Sequence, residues 1–430
     1  MNPSTMNNPA TEGTLGDPTI SYPAFRWYLM LVMLVATAAQ TVVMIAPASM
    51  VEFISKSLGI GVGPTTAIMM GTWNLVGPAG TIVAGFFVFR VGITKMFLLG
   101  CALLIVPSLL YPLVGNNLPA VIILRVLQPL GVGPIYATAP VLAAVWFPPA
   151  QRSMVAGLQG FATSLGVAIG FGAAPAAYAA THHNWLAMMA CMAVVPIIAF
   201  IMALVIPFGP KPPKAKESHQ DEASMQNDWK LATREPVFYV GILIMFLMCW
   251  GFVSTNDLTP GYFAVSKPMG VGYGPVIAGK LMTTLQIFFM LGAAALGPIF
   301  EKVFKENARA TVTVGFVVFA VTIFSISQPF VFTNFKILYP VLAVAGFFLA
   351  WIIPCCIAFV TLHYPAHLTG KMIGLWFGIG LFAGVPAIGI GSVLLTKTGN
   401  YHASIYVVTA IAVVGAIVAQ WLKPPKAFRC

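Results

Sequence analysis

Apolar runs of about 20 residues succeed one another along the whole 430-residue chain. They lie near 25–49, 64–89, 96–114, 119–144, 154–178, 186–208, 236–257, 275–300, 310–327, 336–360, 371–396 and 404–422. A helix rises about 1.5 Å per residue, so roughly 20 residues cross a hydrocarbon core of about 30 Å. The pattern predicts an all-α polytopic membrane protein with twelve transmembrane helices. Between the sixth and seventh runs the rhythm breaks. The stretch GPKPPKAKESHQDEASMQNDWKLATREP, residues 209–236, concentrates ten of the chain's charges and reads as a solvated linker. The expected organisation is a disordered cytoplasmic tail at 1–23, a six-helix bundle at 24–208, the linker at 209–235, a second six-helix bundle at 236–422 and a short cytoplasmic tail at 423–430.

Composition excludes a soluble fold. The chain is 59% hydrophobic and 8% charged, where soluble domains carry about 25% charged residues. A net charge of +11 would suggest nucleic acid in a soluble protein, but its distribution argues otherwise. With both termini on the cytoplasmic side, sixteen basic residues fall there and four, Lys56, Lys267, Lys336 and Lys397, fall opposite. That is the positive-inside pattern, and it predicts a multi-pass protein of the plasma (inner) membrane with lipid and no nucleic acid as partner. Residues 1–23 lack a basic start and are not a cleavable signal. Cys101, Cys191, Cys249, Cys355 and Cys356 fall in apolar spans and point to no disulfide framework.

The two halves repeat one another. FPPAQRSMVAGL (147–158) and YPAHLTGKMIGL (364–375) share an aromatic–Pro start and a Gly–Leu finish; GFFVFRVGITK (85–95) and GPIFEKVFKEN (297–307) occupy the loops after spans two and eight. Six plus six parallel repeats follow. These residues resemble the major facilitator superfamily of secondary transporters. Its loop signature G-x-x-x-D-R-x-G-R-K is met by Gly85, Arg90, Gly92 and approximately Lys95, with Phe89 where the acid belongs. The second copy keeps Glu301 and Lys302 and has Phe304 for the second glycine. The fourth-span motif R-x-x-Q-G-x-G appears as Arg125, Gln128 and Gly131, with Pro129 for the first glycine. The resemblance implies two pseudo-symmetric six-helix bundles, alternating access, and a gate formed by Arg90, Lys95, Glu301 and Lys302. Anchoring of the basic residues by membrane charge is the plainer reading of that gate.

Arg125 and Lys280 stand inside apolar runs, whereas every acid falls in a tail, loop or rim, with Asp257 at the outer end of span seven. An intramembrane cation is costly and functional by default. Two such cations with no anion predict an anionic cargo, held by a guanidinium fork and an ammonium. The structural alternatives are that Arg125 hydrogen-bonds helix backbone and Lys280 snorkels to water. Further candidates by depth are Gln40, Asn74, Tyr136 and Gln286, with Thr284 sharing the face of Lys280, and Gln159 toward the cytoplasmic end of span five. Each serves equally as interhelical glue. Trp73, Trp351 and Trp376 either wall a cavity or pack.

No nucleophile, metal or phosphate-loop motif appears, so no enzyme, cofactor or metal site is expected. The leading expectation is a monomeric symporter, antiporter or exchanger of a small organic anion, a mono- or dicarboxylate or sulfonate, coupled to a proton or counter-anion with Asp257 as candidate. The alternatives are an exporter of lipophilic or zwitterionic compounds and a non-transporting receptor or sensor.

Overall fold

The computed structural model describes residues 22–210 and 222–428; residues 1–21 of the expected tail at 1–23, linker residues 211–221 and residues 429–430 lie outside them. Among the described residues twelve helices are long and apolar enough to cross a membrane. Spans one to six are Arg26–Ile45, Val62–Val88, Ile93–Val114, Leu118–Trp146, Gly157–Ala180 and Trp185–Phe208. Spans seven to twelve are Pro236–Ala264, Gly274–Lys302, Ala308–Ser325, Phe335–His363, Leu368–Thr398 and His402–Trp421. A short helix, Val51–Leu58, joins spans one and two, and the second part of the linker forms a helix, Glu222–Arg234. That linker helix is held against span eleven, where the Lys371 ammonium lies 4.0 Å from the Trp229 ring.

The packing is a pair of matching bundles. Spans one and five, two and four, and three and six pack together in the first half; spans seven and eleven, eight and ten, and nine and twelve do so in the second. Close approach at equivalent crossings needs glycine. A Cβ on Gly133 would meet the Gly80 carbonyl oxygen at 2.2 Å, and one on Gly346 would meet that of Leu285 at 2.2 Å. The halves meet along a seam made by span five against span eight and span two against span eleven.

This seam is closed at one end. On the face opposite the linker, Thr283 Oγ1 donates to the Ala168 carbonyl at 3.2 Å. There the Glu52 carboxylate accepts from the Ser266 backbone N–H at 2.8 Å. A Cβ on Gly63 would strike Thr396 Oγ1 at 2.1 Å. Toward the linker face, Gly157, Gly160, Gly374 and Gly378 of spans five and eleven have open space beside them. The molecule is fastened on the far face, and among the described residues no hydrogen bond joins the two bundles on the linker face, which is the open one.

Several spans are interrupted, and three of the breaks lie beside the polar residues of the interior. Span two begins as Val62–Thr66, widens into a π turn at Ala67–Gly71 and continues as Thr72–Val91. Span four breaks at Gly131. Span seven breaks at Leu258 between Pro236–Asp257 and Thr259–Ala264.

Candidate functional site

Arg125 is fully buried and its guanidinium is spent on the protein itself. Nε donates to the Met69 carbonyl at 2.6 Å, and one terminal nitrogen donates to Val43 O at 3.2 Å and Gln128 Oε1 at 3.0 Å. The other terminal nitrogen donates to Met44 O at 2.7 Å. Its Cζ lies 4.9 Å from the centre of the Trp73 ring. The acceptors are available for a physical reason. The last four carbonyls of a helix have no partner within it, and Val43 and Met44 end span one. A π turn displaces the usual bonding pattern, and Met69 lies inside it. Four of the five guanidinium N–H groups are thus engaged, on the backbone of spans one and two and on Gln128, which itself donates to Ser108 Oγ at 2.9 Å.

The same turn places the next polar group. Asn74 Nδ2 donates to Met70 O at 3.0 Å and, across the seam, to Asp257 Oδ2 at 2.8 Å. Asp257 is 4% exposed, and it and Arg125 act on each other electrostatically. This corrects the expectation that no acid lies within the bundle and that Asp257 sits at a rim. Leu258–Thr259–Pro260 reads as the end of a span, but the helix resumes and carries the chain through Ala264. The buried cation therefore has an acid near it. Asn256, which the sequence reading did not single out, accepts from Gln286 Nε2 of span eight; its adjacency to Asp257 in one apolar run was the available signal. Gln286 Oε1 and Thr255 Oγ1 are buried with no partner among the described residues.

In the first half a relay of donors crosses three spans. Gln40 Nε2 donates to the Tyr136 hydroxyl at 3.3 Å, which lies 3.0 Å from Thr163 Oγ1. Thr163 in turn donates to the Gln159 carbonyl at 3.0 Å. Gln159 Nε2 is buried and without a partner among the described residues.

The remaining candidates are dispersed. Lys280 is exposed on the stripe that also carries Val276, Ile287 and Leu291, at 48%, 43% and 52% exposure, the surface a bilayer would cover. Thr284 donates to the Lys280 carbonyl at 3.1 Å. Trp376 is buried in the second bundle, stacked on Phe359 and pressed against Gly241. Trp351 packs against Phe348 at 4.4 Å between ring centroids. Arg90, Lys95, Glu301 and Lys302 are exposed, and no ion pair joins them among the described residues. A latch drawn from these four is unformed in this linker-face-open arrangement.

The model of the Major Facilitator Superfamily matches residues 28–330. A protein of Staphylococcus aureus (strain MSSA476) described as a putative proline/betaine transporter is 23% identical over 189 residues, 43% of this chain. The match spans 39% of that relative's length. Among solved structures, a D-xylose-proton symporter superposes with a TM-score of 0.74 at 14% identity, covering 94% of this chain and 100% of its own. A bacterial homologue of the human lysosomal transporter Spinster, inward-facing and unoccupied, gives 0.73 at 10% identity over 93% and 97%. At such identities the likeness concerns the fold alone. The match over residues 28–330, together with twelve spans in two packed bundles, leads to one conclusion: the chain belongs to the Major Facilitator Superfamily.

Proposed function

We propose that this chain is a secondary transporter of a small zwitterionic solute, working by alternating access, with Asp257 coupling the cargo to a driving proton. The observation that carries this reading is the buried Asp257 carboxylate, bonded to Asn74 of the opposite half at 2.8 Å. A carboxylate withdrawn from water is costly unless it is paired or protonated. A proton, or the cationic nitrogen of a cargo, relieves that cost and weakens the charge-assisted bond to Asn74. Occupancy at Asp257 is thereby linked to whether the seam holds, and a ligand shifts a two-state equilibrium only through such differential contacts. Proline and betaine, named in the description of the Staphylococcus aureus relative, each join a cationic nitrogen to a carboxylate. We assign the nitrogen to Asp257 and the carboxylate to the amide donors of Gln40 and Gln159. The linker face, which carries the basic excess, is the cytoplasmic one, and the membrane is the plasma (inner) membrane.

A second reading, a small mono- or dicarboxylate or a sulfonate, needs Lys280 as its cation, and the exposed apolar stripe that carries Lys280 weighs against it. Flux into proteoliposomes under an imposed proton gradient separates the two. The wild type accumulates labelled proline or betaine, and Asp257→Asn, which removes both the proton carrier and the partner of the cargo nitrogen, loses gradient-driven accumulation and weakens exchange of cargo for cargo. Undiminished accumulation by Asp257→Asn would reject the coupling role. Uptake of a labelled dicarboxylate in preference to either zwitterion, abolished by Lys280→Ala, would decide for the anion.

A further inference from the structure

We infer that the linker face of the second bundle carries a binding site for a phosphate-bearing anion, the headgroup of an anionic membrane lipid. A cavity of about 290 Å³ opens there where spans nine, ten and twelve end. Arg309, His363 and Lys423 line it, and Phe359 and Leu422 supply apolar wall. Glu306 also lines it and is exposed. Glu301, Lys302 and Lys305 come just before Glu306 in the chain, so Lys302, Lys305, Arg309 and Lys423 outnumber the two acids and the local charge is positive.

The walls are fixed by contacts that leave the cations free to bind. Gln420 Nε2 of span twelve donates to Thr313 Oγ1 of span nine at 2.8 Å, tying together the two helix ends that carry Arg309 and Lys423. His363 Nδ1 is 2.9 Å from the Phe359 carbonyl, which leaves Nε2 as its other polar atom. No ion pair occupies Arg309 or Lys423 among the described residues. Arginine presents a fork that matches phosphate oxygens, and lysine adds a mobile point charge. Basic pockets between transmembrane helices on the positive side are where anionic headgroups bind.

The surroundings identify the source of the phosphate. Leu362, next to His363, is 50% exposed, and Trp421, next to Leu422, is 58% exposed. Exposed apolar side chains of this kind lie against acyl chains, with tryptophan at the level of the headgroups. A soluble phosphate would gain nothing from that border, whereas a lipid fills both parts.

The test uses the full-length protein purified in detergent. Lipid retention is read by native mass spectrometry and thermal stability by unfolding. Phosphatidylglycerol is expected to be retained and to raise the melting temperature. Phosphatidylcholine, whose phosphate is offset by its own cation, does neither. The Arg309→Gln/Lys423→Gln pair is expected to weaken phosphatidylglycerol binding at least about tenfold, since each basic residue near an anionic headgroup contributes severalfold. Removing the same number of charges from the other bundle, with Arg90→Gln/Lys95→Gln, leaves binding unchanged. Equal loss from both pairs, or equal retention of the two lipids, would overturn the site. Stabilisation by inorganic phosphate that matches phosphatidylglycerol and is lost in the same pair would keep the phosphate chemistry and reject the lipid. Should the double variant fail to fold, Lys423→Gln alone carries the comparison, with an expected loss of about fivefold.

Discussion

A guanidinium inside the hydrocarbon region keeps its proton, so it must find acceptors or stay out. Arg125 finds them in the terminal carbonyls of span one and in the π turn of span two. This makes it a joint between three helices. Replacing it with methionine strands those acceptors and takes a cation away from Asp257. Breaking a buried set of this kind costs about 3–5 kcal/mol. Arg125→Met is therefore expected to lower the melting temperature of the purified protein by several degrees, and Arg125→Lys, which keeps the charge but loses the fork, by less. An unchanged melting temperature together with abolished uptake would return Arg125 to the cargo. The presence of a buried cation was legible in the sequence, because an arginine in an apolar run is conspicuous. Its partners were not. A carbonyl freed by a helix end or a π turn leaves no mark in residue identity, and Ala67–Gly71 reads like any other stretch of span two.

At the scale of elements, long apolar runs declare themselves, and the twelve spans fall within a few residues of where hydropathy puts them. The exception matters most. Thr259–Pro260 looks like a helix end because proline suits the first turn of a new helix. Truncating span seven there moved Asp257 to the surface and removed the acid from the interior. Gln40 and Tyr136 are legible by depth and meet each other at 3.3 Å; Asn256 is not, because nothing in its residue type marks the partner it finds in Gln286. Glycine spacing was legible too, but not which glycines are in contact. Gly133 and Gly346 touch backbone, while Gly157 and Gly374 face open space. If the two bundles rock about the seam, the open ones must close when the linker face does. Gly157→Leu and Gly374→Leu are accordingly expected to leave the melting temperature within about a degree of wild type. Both should abolish net transport, and cargo binding from the linker face should persist. Gly346→Leu, which must displace the backbone at Leu285, is expected to cost stability of about 1–3 kcal/mol or more, as overpacked cores do. Thermal unfolding and flux measured on the same preparations check both. Normal transport by Gly157→Leu and Gly374→Leu would show that span five and span eleven do not close there.

For the molecule as a whole, the far face must open as readily as it closes, so its fastening cannot be strong. Outside the spans that fastening is Glu52, on the helix Val51–Leu58. It accepts from the Ser266 N–H at 2.8 Å and Oγ at 2.9 Å in the other half and from Lys56 at 2.7 Å in its own. Burial pushes the Glu52 carboxyl up, but the Lys56 and Ser266 hydrogen bonds outweigh it and hold the group below its usual value. The sign of the pH effect follows from that direction. Lys56 sits on the same helix and depresses the carboxyl in either state, so only the Ser266 share of the effect is confined to the far-closed state, and that share favours the closed state wherever the group is ionised in the open one. The contribution is complete above the ordinary carboxylate range and disappears as the pH falls through the lowered value. Near neutrality the fastening should therefore be indifferent to pH, and Glu52→Gln should mimic acid. Exposed or half-exposed pairs are worth about 0–1 kcal/mol, which bounds the shift toward the far-open state at roughly fivefold. Labelling of a cysteine introduced at Gly63, a position packed against Thr396 only while the far face is shut, reads that population. Because any side chain at Gly63 itself loosens this contact, the comparison is between Gly63→Cys with and without Glu52→Gln at one pH. A rise in labelling with Glu52→Gln at neutral pH, matched by acid in the Gly63→Cys protein and absent from the double variant on acidification, is the expected pattern. Equal acid sensitivity in both proteins would move the switch away from Glu52 and toward the buried carboxylate at the seam.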